Sequence, residues 1–170
     1  MKRKIYQQLL DWKEKRNGEV ALLIEGARRI GKSYIVEEFG KNEYESYILI
    51  DFNKAPQIVR DWFDLYLEDL DMLFLYLSQH YKVRLHERKS LIILDEVQLC
   101  PRARAAIKFL VKDGRYDYIE TGSLVSIKKN TQGIVLPSEE RPIQMYPMDF
   151  EEFLWATGND MLMDLIRKMY

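Results

Sequence analysis

The stretch that most narrows what this chain can fold into is Gly26-Ala27-Arg28-Arg29-Ile30-Gly31-Lys32-Ser33. It satisfies the phosphate-loop pattern G-x-x-x-x-G-K-S/T at every position. Such a loop needs a strand before it and a helix behind it. Val20-Ala21-Leu22-Leu23-Ile24 is a continuous apolar run, as expected of a strand buried on both faces. Behind the loop, Ile35 and Phe39 share one helical face, and Gly40 predicts a C-terminal stop. In a strand–loop–helix unit the loop and first-turn amides converge on phosphate oxygens, with the positive end of the helix dipole behind them. The nucleotide-contacting set is therefore Gly26, Ala27, Arg28, Arg29, Ile30, Gly31, Lys32, Ser33 and Tyr34. Lys32 is expected at the β- and γ-phosphates and the Ser33 hydroxyl on Mg²⁺. Arg28 and Arg29 read equally as a solvated pair or as contacts to phosphate or a partner.

A second run, Leu91-Ile92-Ile93-Leu94, ends in Asp95-Glu96. An apolar strand delivering two carboxylates at its C-terminal end reads as a Walker B element. Asp95 is then expected to hold Mg²⁺, and Glu96 to orient or deprotonate the attacking water. Tyr116 to Thr121 reads as a further strand with Gly122-Ser123 at its end. A hydroxyl from Thr121 or Ser123 there suits a γ-phosphate sensor as well as it suits a simple turn.

The bulk properties exclude several classes. A chain of 170 residues makes one domain, large enough to bury roughly 70% of its unfolded surface without disulfides or metal. Lys plus Arg number 26 against 27 Asp plus Glu, so no global basic excess points to nucleic acid. Cys100 is the single cysteine and fits a reducing compartment, as a packing residue. His80 and His86 read as surface residues. The charged start Met1-Lys2-Arg3-Lys4 lacks the apolar core of a signal peptide, and the longest apolar run, Met72 to Leu77, is far too short to span a bilayer. The expectation is a soluble, cytoplasmic protein.

Elsewhere the periodicity predicts a helix over 3–16 whose first basic residues are solvated, and a strand over 47–52 with Asp51 capping a loop. One broken helix or two helices cover 55–81, with an aromatic stripe that reads as core. A helix is expected over 102–112, and an exposed polar loop over 126–140. A strand follows near Pro142–Tyr146, then a helix capped by Asp149. A last helix, from about Asp160, places Met161, Leu162, Leu165, Ile166 and Met169 on one side, an apolar face with nothing after it to cover it.

Three more blocks accompany the glycine loop in order: Leu94-Asp95-Glu96-Val97-Gln98 with Pro101, Thr121-Gly122-Ser123, and Arg141 with Tyr146-Pro147-Met148-Asp149-Phe150-Glu151-Glu152-Phe153. Over about residues 20–155 the chain resembles prokaryotic AAA-type ATPases of the AAA_14 domain family. The resemblance implies an α/β, three-layer P-loop NTPase core of the ASCE type, with a mainly parallel sheet in the order 5-1-4-3-2. It implies ATP as the nucleotide, and a C-terminal domain, often called DUF4143, beyond this chain. Residues 1–157 would then be the ATPase core and 158–170 a helix leading towards that domain. Arg141 aligns with a family arginine, which makes it a finger or sensor, in cis or in trans, or a surface ion-pair residue.

The reading is an ATPase that binds Mg·ATP and hydrolyses its β–γ bond through Lys32, Ser33, Asp95, Glu96, Thr121 and Arg141. The rivals are a nucleotide-gated switch acting on a protein partner or a second copy, a small-molecule kinase, and a DNA-associated motor.

Overall fold

The apolar runs become five strands: β1 (Ala21–Gly26), β2 (Ser46–Asp51), β3 (Ser90–Asp95), β4 (Asp117–Ser123) and β5 (Glu140–Met145). The computed structural model describes residues 2–16, 18–123 and 138–169, without the side chains of residues 160 and 164. All strand pairs are parallel, in the order β2-β3-β4-β1-β5. This is the expected 5-1-4-3-2 sheet read from its other edge. Most of the expected polar loop, 126–140, lies outside the described residues, and its last residue, Glu140, opens β5.

Strand alternation sorts the side chains onto two faces. Leu22, Ile24, Leu91, Ile93 and Ile119 pack against Ile5, Leu9 and Trp12 of helix α1 (Ile5–Arg16) and Ile35, Val36 and Phe39 of α2 (Lys32–Glu43). Leu23, Ile48, Ile50, Ile92, Leu94 and Tyr118 meet α3 (Gln57–Leu65), α4 (Leu70–Tyr81) and α5 (Pro101–Asp113) on the other face. Each fully buried side chain of this size contributes about 1.5–3 kcal/mol. The aromatic stripe is core, with Trp62, Phe63, Phe74 and Leu77 all buried, although Leu65, at the end of α3, is exposed. Cys100 is buried in the same cluster.

Local chemistry sets the breaks. The region from 55 to 81 forms two helices because Asp69 caps α4, its side chain accepting from the Met72 N–H at 3.2 Å. Gly40 corrects the expected helix stop. It lies inside α2, where an added Cβ would come within 3.0 Å of the Tyr47 ring, so its small size serves packing and the helix runs on to Glu43. Helix α6 (Phe150–Ala156) starts with a full capping box between Asp149 and Glu152. Helix α7 (Asp160–Met169) packs beside it and leaves Met161, Leu165 and Met169 exposed.

One polar cluster lies inside the α5 face. Arg104 forks onto Glu140, at 2.8 and 3.0 Å, and both side chains are buried. Glu120, in mid-β4, is fully buried beside them, with the Glu140 carboxylate as its neighbour. Burial first, then the neighbouring Glu140 carboxylate, push the Glu120 carboxyl well above the ordinary value of 4.5. The folded chain therefore keeps a proton that the unfolded chain releases near that value. Its contribution to stability falls as the pH rises from there through the folded value. Glu120→Gln, which keeps the shape without the titration, is expected to flatten this decline in urea midpoints measured from pH 5 to 8. An unchanged slope would show that Glu120 does not hold the proton.

Candidate nucleotide-binding site

Parallel pairing brings the ends of all five strands to one edge. Gly26 stands level with Ser123 and Met145, and Asp51 with Asp95. Strand parity then points Asp51, Asp95, Thr121 and Ser123 to the α2 face, where the glycine loop turns into α2. Gly31 makes this turn as the N-cap, with φ 91° in the left-handed region open to glycine. Gly26 has a different reason. A Cβ there would lie 2.4 Å from the Met145 carbonyl oxygen, so only glycine lets β1 and β5 approach this closely.

Lys32 is buried, and its ammonium donates to the loop carbonyls of Gly26 (3.2 Å) and Ala27 (2.8 Å). Burial lowers its pKa, while the Glu96 and Asp95 carboxylates oppose that shift. The Ser33 hydroxyl donates to Asp95 Oδ1 at 2.8 Å, and the Thr121 hydroxyl donates to the same oxygen. Thr121 Oγ1 also accepts from the Glu96 backbone N–H at 3.2 Å. Desolvation raises the Asp95 pKa against the lowering effect of these two hydroxyls. Glu96 follows the strand with φ 56°, a left-handed turn that re-aims the chain, and its carboxylate accepts from the Gln98 amide.

The structure thus gathers Lys32, Ser33, Asp95, Glu96 and Thr121, residues spread over three segments of sequence. Thr121 sits within β4 rather than in a turn, its hydroxyl shared between the two acids. Ser123 lies level with Gly26. Arg28, Arg29 and Tyr34 are exposed, Ala27 is exposed on the loop, and Ile30 is half-buried. Asp51 holds its own turn, accepting from the Asn53 N–H and pairing with Lys54.

Arg141 does not join the group. It pairs with Leu22, four residues before Gly26, and lines a hollow with Gln8, Asp11 and Lys15 over α1. Four residues of strand are roughly 13 Å, at the opposite end of the sheet from the loop. This placement runs against a finger or sensor role in cis.

Arg3 reverses another expectation. It is 5% exposed rather than solvated, and it reaches the Ile30 and Tyr146 carbonyls and the Glu152 carboxylate. No local pattern announces this, because the partners lie 27, 143 and 149 residues away.

A parallel sheet with a glycine loop entering a helix after β1, and an acidic pair at the end of β3 with β4 inserted between the two strands, defines a P-loop NTPase fold of the AAA type. The profile of the AAA_14 family, described as an AAA domain, matches residues 19–154, and the chain belongs to that family, a group of nucleotide-binding AAA modules. It is 24% identical over 96% of its length to an uncharacterized protein of Haemophilus influenzae, and 27% identical over 81% to one of Methanocaldococcus jannaschii. The chain spans 40% and 28% of the lengths of those relatives. The structure of C. elegans PCH-2 aligns with 96% of this chain and 44% of its own, at 13% identity and a TM-score of 0.39. No helix among the described residues is long and apolar enough to cross a membrane.

Proposed function

We propose that this domain binds Mg·ATP and hydrolyses it to ADP and phosphate. The supporting observation is the convergence of Lys32, Ser33, Asp95, Glu96 and Thr121 at one end of the sheet, beside the Gly31 helix start. The donor set fits magnesium. Ser33 and Asp95 offer two hard oxygens that already touch each other, and the Asp95 carboxylate is desolvated, so a cation would relieve it. When bound there, Mg²⁺ would neutralise charge on the β- and γ-phosphates.

In the proposed reaction, Lys32 exchanges the Gly26 and Ala27 carbonyls for phosphate oxygens, and the loop amides cradle the rest. Glu96 accepts a proton from a water whose oxygen attacks the γ-phosphorus. The bond to the bridging oxygen breaks, and ADP leaves with that electron pair. Thr121, holding both the Asp95 side chain and the Glu96 amide, keeps the two acids in register. Residues 1–157 serve as this core, and 158–170 as the segment that carries α7 (Asp160–Met169).

Phosphate release from Mg·ATP, measured across protein concentrations, tests the reading. Turnover rising more than linearly with concentration is expected, because Arg141, the finger or sensor candidate, lies at the far end of the sheet from the loop of its own chain. Linear turnover would remove the need for a completing subunit, and absent turnover with tight binding would favour a second reading. That reading is a nucleotide-gated switch, supported by the exposed Met161, Leu165 and Met169 of α7. An ATP-dependent change of mass that survives Glu96→Gln would support it.

A further inference from the structure

Arg3 joins three parts of the molecule through one side chain. Nη1 donates to the Ile30 carbonyl at 2.9 Å, Nη2 to the Tyr146 carbonyl at 2.7 Å, and Nε to Glu152 Oε1 at 3.2 Å. Glu152 balances the charge, yet an ion pair alone requires no contact with two backbone carbonyls. Those contacts fix the chain on either side of the sheet edge, and the Ile30 contact lies inside the glycine loop.

The peptide bond makes that contact consequential. A trans peptide holds its C=O and N–H in one plane, pointing in opposite directions. Holding the Ile30 oxygen on Arg3 therefore directs the Gly31 N–H away from Arg3. Gly31 is the α2 N-cap in the left-handed region, a conformation glycine adopts freely and does not hold unaided. Amides at such a helix start are the donors an anion uses.

We propose that Arg3 is a positioning residue for the nucleotide phosphates, acting through the Ile30–Gly31 peptide and touching no substrate itself. The proposal rests on the Mg·ATP reading above. It also joins the loop to α6. The Glu152 carboxylate that pairs with Arg3 accepts from the Lys4 N–H at 2.7 Å and closes the capping box with the Asp149 N–H. Arg3 and Glu152 thereby tie the loop to the start of α6, which an Arg167–Glu151 ion pair connects to α7.

The test compares Mg·ATP with Mg·tripolyphosphate by calorimetry, using the unaltered chain, Arg3→Lys, and the paired change Arg3→Gln with Glu152→Gln. Lysine keeps a charge for Glu152 but cannot fork onto two carbonyls. The expected result is about tenfold weaker binding of both ligands to Arg3→Lys, the size of one lost charge-assisted hydrogen bond, with the ligand-free melting temperature little changed. Unchanged affinities with a lowered melting temperature would make Arg3 a structural brace only and overturn the proposal. Loss confined to ATP would assign Arg3 to the nucleoside and overturn it as well. If Arg3→Lys does not fold, the paired variant, which leaves no lone buried charge, decides in the same way: weakened binding of both ligands supports the proposal, and unchanged binding refutes it. Failure of the unaltered chain to bind either ligand would instead remove the Mg·ATP reading on which the proposal stands.

Discussion

Glu96→Gln is expected to leave Mg·ATP affinity within a few-fold and to cut phosphate release by about 10²–10⁴-fold, the usual contribution of a positioned general base. The argument is one of placement. The Glu96 amide is fixed by Thr121 and the carboxylate by Gln98, while Asp95 is engaged by the Ser33 and Thr121 hydroxyls. The two carboxylates thus have different partners, and glutamine preserves the Glu96 shape while removing its capacity to take a proton. Single-turnover assays with tight-bound Mg·ATP check this directly. Equal release rates would move the base elsewhere, and a collapse of affinity would make Glu96 a binding residue.

The second large effect concerns stability. Arg104→Ala is expected to lower the unfolding free energy by about 3–5 kcal/mol, because it strands the buried Glu140 carboxylate without its partner. In a domain of this size that corresponds to roughly 6–20 °C in melting temperature. Burial opposes the Arg104 charge, and the Glu140 fork, with Glu25 nearby, outweighs it. The pair is therefore costly to break and need not be costly to replace. Changing Arg104 to Met and Glu140 to Leu together is expected to recover most of the loss. Differential scanning calorimetry separates these outcomes. A loss below about 1 kcal/mol for Arg104→Ala would mean that water reaches Glu140, as it does in exposed pairs.

Local patterns carried much of the fold. The glycine loop, the apolar runs and the acidic pair each report a nearby backbone state, so β1, α2 and β3 were legible from their own residues. The strand order came instead from family resemblance, since no periodicity states which strands pair. The misreadings share a cause. Gly40 looked like a helix stop, but its small size is demanded by Tyr47 across the layer. Arg3 looked solvated because it sits among Lys2 and Lys4, while its three partners come from the loop, the β5 end and α6. Arg104, Glu120 and Glu140 lie in separate segments that show a charge inside an apolar element only once the strands are stacked. For Arg141, which family resemblance makes a finger or sensor in cis or in trans or a surface ion-pair residue, the parallel register puts it at the far end of the sheet from the loop, which runs against the cis role alone.

The most direct test is thermal unfolding of the chain with and without Mg·ATP, beside Lys32→Ala. At nucleotide near a hundred times Kd the expected gain is about 2.7 kcal/mol, or roughly 5–10 °C for a chain of this length, and Lys32→Ala should abolish it. A chain whose melting temperature ignores Mg·ATP, or a Lys32→Ala variant stabilised as much as its parent, would contradict nucleotide binding at this loop.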